Sequence, residues 1–429
     1  MNNYRRYIQT TLIIAALISG CGKQGTKNPK QETLEPPEAI ASKIPWDFKA
    51  LNASPEFRWL NDSGQVRSLL YQGEQYRGKT SQVFAYYASP ATMGSEKYTE
   101  PFPAVVLVHG GGGTAFSWWV KMWAEKGYAA IAMDLNGSRP AESLKNDEAH
   151  SGKDKIRLPN GGPLHSTPYR IHKIDSSFNL QWQFHAISNV IRAHSLIRDL
   201  AEVDEARTAL TGISWGGYLS NMVAGLDNRF NCVVPVYGCG FIHENSYWTD
   251  RNKFKNLSEA QFEKWVSLWD PAKYVVYATM PMLFINGTND PYYYLEIFAK
   301  TVRLTKNSHQ VIKAGMKHGH GRGARPDEIF AFIGHHLKNE KPLPEISKLE
   351  IMNGTISAEI NAQTKIDSAF LVFTKDTLHP KKRKWEKKSI RVSDSKISAE
   401  SIPENMKIWY LSVKDARGLL ISSGVVFDN

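Results

Sequence analysis

The sequence predicts a doubly wound α/β fold with a mostly parallel sheet, followed by a small all-β sandwich. Three observations predict it. Continuous apolar runs such as Ala104-Val-Val-Leu-Val-His109 alternate with stretches of helical period, as a sheet covered on both faces requires. One of these runs enters a helix through the glycine-flanked turn Gly212-Ile-Ser-Trp-Gly216. After Pro342 and Pro344 the helical period stops, and only short alternating runs remain.

The chain has 429 residues and a net charge of +11, long enough for two domains with a sizeable core. The basic excess comes without a helix-turn-helix, zinc-finger or aromatic RNA-binding pattern, so it reads as a surface property and excludes a nucleic-acid partner. Arg5 and Arg6 precede an apolar run from Ile8 to Ile18 and then Ser19-Gly20-Cys21. That order makes residues 1–21 a secretory signal, with an apolar run too short to span a membrane comfortably. Ile18-Ser-Gly-Cys21 resembles the bacterial lipobox, with Ile where Leu is commoner. The resemblance implies lipidation of Cys21, cleavage before it, and a protein tethered to a membrane face of the bacterial cell envelope; plain secretion or an uncleaved anchor is the alternative. Residues 22–50, rich in Lys, Gln, Glu and Pro, read as a flexible tether. Residues 51–341 form the α/β domain and residues 342–429 an immunoglobulin-like sandwich. The remaining cysteines, Cys232 and Cys239, lie in one extended run, which sets their Cα atoms ~23 Å apart. They read as buried thiols, not as a bridge or a metal pair.

Taken in order, short alternating runs between Phe57 and Tyr87 predict antiparallel strands. Parallel strands follow at Ala104–His109, Ala129–Asp134, Thr208–Leu210, Val233–Tyr237, Met282–Asn286 and Gln310–Ala314. Helical stretches lie at Ser117–Gly127, Phe178–Leu200, Tyr218–Gly225, Phe241–Tyr277, Tyr292–Thr305 and Asp327–Leu337. The Gly/Pro-rich polar stretch from Asn136 to Asp175 shows no element. Four short strands fill the C-terminal segment, centred on Ile356–Ile360, Ser368–Phe373, Lys407–Val413 and Ser423–Phe427.

The chemistry converges on Ser214. A serine on a sharp strand-to-helix turn stands clear of the sheet, and the helix behind it offers dipole and free N–H groups to an oxyanion. By composition alone the pentapeptide would arise roughly 0.1 to 0.2 times in such a chain, so context decides. Acyl transfer needs a base, an acid that orients it, and oxyanion donors. Asp290 follows a predicted strand, and His318 and His320 follow the last one, in the chain order Ser, Asp, His.

These residues resemble the α/β-hydrolase superfamily, and Gly212-Ile-Ser-Trp-Gly-Gly-Tyr218 is similar to its acetyl xylan esterase, dienelactone hydrolase and prolyl oligopeptidase branches. The resemblance covers Phe57 to Lys338. It implies Ser214 as nucleophile, Asp290 as acid and His318 as base. Gly315-Met-Lys-His318 fits the family's Gly-x-x-His setting, and His320-Gly321 leaves His320 as the alternative base. His109-Gly-Gly-Gly resembles the HGGG loop, which implies an oxyanion hole from the N–H of Trp215 and of Gly111 or Gly112. Losing one such donor costs on the order of 3 kcal/mol in the barrier. No metal or cofactor is implied.

Other residues carry two readings. Asp290 before Pro291 also suits a helix cap. Asp134 reads as a loop or cap residue, and His185 and His194 as packing residues. Trp248, with Tyr247, Trp265 and Trp269, suits either a sugar-stacking platform or core. Tyr292 follows the acid and reads as a pocket edge. Arg322, with Arg325, reads as a partner for an anionic substrate group or as a solvated loop residue. The run Lys381-Lys-Arg-Lys-Trp-Glu-Lys-Lys388 reads first as a solvated turn, and second as a grip on an acidic polysaccharide or membrane. The expected function is a carbohydrate esterase working through an acyl-enzyme on polysaccharide-linked esters. No stretch resembles the propeller that gates prolyl oligopeptidases, so a serine peptidase of that type is the second reading. A lipid-anchored carbohydrate-binding protein with a disused core is the third. Oligomeric state is not fixed by the sequence.

Overall fold

A computed structural model describes residues 37–94, 100–141, 155–400 and 402–428. The signal segment and Cys21 lie outside the described residues. The part of the expected tether that is described is not free chain. Phe48–Asn52 is a helix capped by Asp47, and Ile40, Ile44, Trp46 and Leu51 are buried. The Trp46 ring stacks on Phe184 at 5.7 Å, and its indole N–H donates to the Phe184 carbonyl at 3.2 Å. Four apolar side chains in this stretch were enough to bring it onto the core.

Nine strands build the main sheet: β1 (Phe57–Asn61), β2 (Arg67–Tyr76), β3 (Lys79–Ala88), β4 (Phe102–Val108), β5 (Ala129–Met133), β6 (Val203–Ile213), β7 (Cys232–Val236), β8 (Met282–Gly287) and β9 (Ser308–Lys313). Their spatial order is β1-β2-β3-β5-β4-β6-β7-β8-β9, antiparallel up to the β3–β5 pair and parallel from there on. β5 and β7 are buried at every residue, which is why these runs lack polar alternation. The chain runs outward from β4 to β5 on one side and returns to β6 on the other. The carboxyl ends of β4 and β6 therefore face a crevice at the switch point, where open α/β sheets place their ligands.

Helices Ser117–Glu125, Trp182–Asp199, Trp215–Ala224, Leu295–Val302 and Asp327–Lys338 match expected ones within a few residues. The expected Phe178–Leu200 helix is broken at Gln181, whose backbone is extended. Its side chain is engaged at both ends: Oε1 accepts the Trp269 indole N–H at 2.8 Å, and Nε2 donates to the Ser176 carbonyl at 2.8 Å. Phe241–Tyr277 is not one helical region. It holds three short helices, Tyr247–Asp250, Glu259–Trp269 and Ala272–Val275, the first two started by serine capping boxes at Ser246 and Ser258.

The described parts of the stretch after Asn136 are structured, against expectation. Ser138–Pro140 pairs with Lys155–Arg157, and Pro168–His172 forms a π-helical turn. Buried Asp134 organises it, accepting from the Asn136 and Ser138 N–H groups at 2.8 and 2.9 Å and from the Thr114 hydroxyl at 2.9 Å. Side-chain-to-backbone bonds of this kind leave no periodic trace in a sequence.

The C-terminal segment adds strands β10 (Glu345–Ile346), β11 (Glu350–Met352), β12 (Thr355–Asn361), β13 (Ile366–Thr374), β14 (Glu386–Ser393), β15 (Lys396–Ala399), β16 (Ile408–Asp415), β17 (Leu420–Ser422) and β18 (Val426–Phe427). It is β-rich as expected, but it continues the main sheet: Gln310 of β9 pairs with Ser422 of β17. The basic run is also not a solvated turn throughout. Glu386 onward is strand β14, and the residues before it dock on the loop after β8. Asn289 Nδ2 donates to the Pro380 and Arg383 carbonyls, each at 2.9 Å, and Arg383 pairs with Glu296 at 2.5 Å.

Gly216 is where this fold leaves least room. A Cβ there would stand 1.9 Å from the Val108 carbonyl oxygen, whereas one on Gly321 would meet nothing within 4 Å. We expect Gly216→Ala to destabilise the protein by about 3 kcal/mol or to block folding, and Gly321→Ala to be nearly neutral. Thermal unfolding of the two variants checks this, and equal melting temperatures would contradict the packing described.

Candidate active site

Ser214 lies between β6 and the helix Trp215–Ala224 with φ 60° and ψ −116°, a conformation that L-residues adopt only when the surroundings enforce it. Its N–H donates to the Val236 carbonyl at 2.9 Å, and its own carbonyl accepts from Tyr218 at 2.9 Å. Above it runs the glycine loop that follows β4. A Cβ on Gly110 would come within 2.8 Å of the Ile213 carbonyl and 2.9 Å of Ser214 Cβ. Only a bare backbone fits between loop and turn.

Asp290 is buried and held by its neighbours. Oδ1 accepts the N–H groups of Tyr292 and Tyr293 at 2.9 and 2.8 Å and so ties the loop together; it is not the expected helix cap, because the next helix begins at Leu295 with Tyr294 at its N-cap. Oδ2 is 2.6 Å from His318 Nδ1, so the orienting geometry is present as well. His318 lies between the rings of Tyr237 and Tyr292, at centroid distances of 4.3 and 4.7 Å. With Nδ1 engaged by the carboxylate, Nε2 is the nitrogen left for proton exchange. His320 is placed differently. Its Nε2 accepts the Gly110 N–H at 2.7 Å and its ring packs on Phe116 at 4.6 Å. It is spoken for as a brace beneath the glycine loop.

A cleft of about 370 Å³ opens over this arrangement. Ser214, Trp215 and His318 line it, and so do Gly111 and Gly112. The Trp215 N–H is one of the first-turn donors for which a helix has no internal acceptor. Of the expected substrate contacts, Trp248 and Tyr292 line the cleft, together with Tyr247. Trp265 and Trp269 are fully buried and belong to the core. Arg322 is exposed and outside the lining, which corrects its expected place. The cation at the cleft wall is Arg170 instead, with His165 beside it. Both come from the stretch read as featureless, where no motif marks them.

The electrostatics are those of a dry site. Burial, then the charge of Lys155, pushes the His109 imidazole down to about 3; its Nδ1 donates to the Gly110 carbonyl at 2.7 Å and its Nε2 accepts from Leu135 at 2.9 Å. Burial likewise holds His320 and His165 well below the usual range. Tyr293 is raised well above the ordinary phenol range by burial, with the Ser214 hydroxyl among the groups that offset it. Among the described residues no cluster of His, Cys, Asp and Glu is arranged to hold a metal. Cys232 and Cys239 are free and buried. His185 and His194 are buried packing residues, and His194 bridges Asp227 and Thr208 at 2.8 and 2.9 Å.

Comparison with known proteins gives two overlapping family matches: residues 62–243 match the model of acetyl xylan esterase, and residues 172–340 that of the prolyl oligopeptidase family. Among curated relatives, the uncharacterised peptidase YuxL of Bacillus subtilis is 25% identical over 287 residues, 59% of this chain and 37% of that protein. Dipeptidyl-peptidase 5 of Schizosaccharomyces pombe is 23% identical over 222 residues, 49% of this chain and 28% of that protein. The matches thus span well under half of either relative. Among solved structures, an acetyl xylan esterase from Paenibacillus superposes with a TM-score of 0.50 at 20% identity, covering 67% of this chain and 92% of the other. Acetyl xylan esterase 1 from Thermoanaerobacterium gives a TM-score of 0.50 at 20% identity, covering 68% and 93%. At that identity the likeness is one of fold.

Buried neutral histidines set an acid limit on stability. His109 is lowered to about 3, and burial lowers His185 and His194 to about 4. Each binds its proton in the unfolded chain near pH 6.5 but not in the folded one, so stability is fully present above pH 6.5 and falls as pH drops toward those lower values. Each contributes up to about 1.4 kcal/mol per pH unit in that window. We expect the melting temperature to fall steeply between pH 6.5 and 4.5; a flat profile there would contradict the burial of these rings.

Proposed function

We propose that this chain, which has the α/β-hydrolase fold and matches two serine-hydrolase family models over parts of its length, cleaves carboxylic esters through an acyl-enzyme on Ser214. One observation carries this reading: His318, paired to buried Asp290 at 2.6 Å, lines the same cleft as Ser214. In this reading His318 Nε2 takes the Ser214 proton as the hydroxyl attacks the ester carbonyl, and Asp290 stabilises the imidazolium. The Trp215 N–H and one from Gly111 or Gly112 hold the oxyanion. His318 then protonates the leaving alcohol, and water repeats the sequence to release the acid. Tyr247 and Tyr292 line the cleft and are not fully buried, and their rings suit contact with a sugar, which favours a polysaccharide-linked ester; Trp248 backs them from the core. Lipidation of Cys21 would hold the enzyme at the cell envelope.

A serine peptidase is the second reading, favoured by the prolyl oligopeptidase match over residues 172–340, which contains Ser214, Asp290 and His318. Turnover of 4-nitrophenyl acetate against dipeptide amides separates the two, and faster amide cleavage overturns the ester reading.

We expect a fluorophosphonate probe to label the wild type and not Ser214→Ala, whose ester turnover should fall by at least about 10⁴-fold. Absence of labelling on folded wild type would favour the carbohydrate-binding alternative. His318→Ala should lose activity to a similar degree with its melting temperature little changed. His320→Ala should lose stability first, because it frees the Gly110 N–H. The reverse pattern would make His320 the base.

A further inference from the structure

Arg170 is the unexplained charge of the cleft. Its backbone is fixed by two donors to its carbonyl, Gln183 Nε2 at 2.7 Å and the Trp265 indole N–H at 2.8 Å. Its guanidinium lies 4.3 Å from the centre of the Trp215 ring, the residue next to Ser214, on the lining of the same cleft. Nε and Nη1 are buried and have no hydrogen-bond partner among the described residues. Burial pushes the group down to about 10, and the groups that offset this are the phenols of Tyr293 and Tyr218. Among the described residues no carboxylate pairs with it.

A desolvated guanidinium with unused donors is costly for the empty protein. Arg229, whose whole side chain is buried, is satisfied by contrast: it forks onto Asp227 at 2.7 and 2.6 Å. Arg170 stacks on an aromatic ring, which orients its planar guanidinium while leaving Nε and Nη1 unused. The complement of such a fork is a planar oxyanion bound through two parallel N–H···O bonds.

We infer that Arg170 binds a carboxylate carried by the substrate, close to the scissile ester, so that the enzyme selects anionic esters over neutral ones. The inference rests on the acyl-transfer reading for the identity of the ligand, but its test does not need turnover. Ser214→Ala is titrated calorimetrically with two matched pairs. One puts the charge on the alcohol part, 3-carboxyphenyl acetate against 3-carbamoylphenyl acetate. The other puts it on the acyl part, the half ester 4-nitrophenyl hydrogen glutarate against its terminal amide. We expect the anionic member of one pair to bind about ten- to a hundredfold more tightly, and Arg170→Met in the same background to bring that ratio close to one. Arg170→Lys keeps a positive charge without the fork and should lower the ratio; it carries the test if the Met variant does not fold. Equal binding within both pairs would mean that Arg170 serves a neutral carbonyl, and it overturns the inference. So does a preference that survives Arg170→Met, or Arg170→Lys where that variant carries the test. Thermal melting separates a structural role: removing an unpaired buried cation should not lower the melting temperature, and a large drop with an unchanged ratio counts against the proposal. Loss of all hydrolysis in the wild type, with anion selectivity intact, would sink the hydrolase reading alone.

Discussion

The structure depends on the close contact between two backbones at the carboxyl ends of β4 and β6. Gly216 lies against the Val108 carbonyl and Gly110 against that of Ile213, with no side chain between them. That contact forces Ser214 into its left-handed conformation. It also places the glycine loop directly over the helix N-terminus, so that the Ser214 hydroxyl and two sources of N–H donors share one small space. Strain at the serine is maintained by packing spread over the whole parallel sheet.

Most of this frame was legible in the sequence because its signals are local. Buried parallel strands write continuous apolar runs, and the turn around Ser214 writes its glycines. The order of Ser214, Asp290 and His318 follows from where loops leave such a sheet. The choice between His318 and His320 was not legible, since both sit in one glycine-rich loop. It turns on which imidazole meets Asp290 and which meets the Gly110 N–H, a matter of tertiary geometry. Arg170 and His165 were invisible for another reason. Their segment is organised by Asp134, Gln183 and Trp265 through bonds to backbone, which have no period. Arg322 drew attention by adjacency to the histidines in sequence, and adjacency did not bring it to the cleft. The tether was read too long because composition weighs Lys and Pro heavily and Ile40, Ile44 and Trp46 lightly.

Histidine does several jobs in this chain, and burial sorts them. His109 and His320 are struts of the glycine loop, kept neutral by desolvation and used for their hydrogen bonds. His318 keeps one face on the cleft and is paired with a carboxylate. The same side chain is thus scaffold or reactive group according to what its nitrogens meet.

The two bonds from Asn289 to the backbone of residues 380 and 383 reach across 91 and 94 positions of chain to the neighbour of Asp290. The C-terminal β segment is therefore not a cartridge that could be exchanged freely between related chains. A chimaera built at Pro342 would keep the surroundings of Ser214 intact and still alter those of Asp290, because the clasp on that loop travels with the other half. Divergence of the two halves is tied together at this joint.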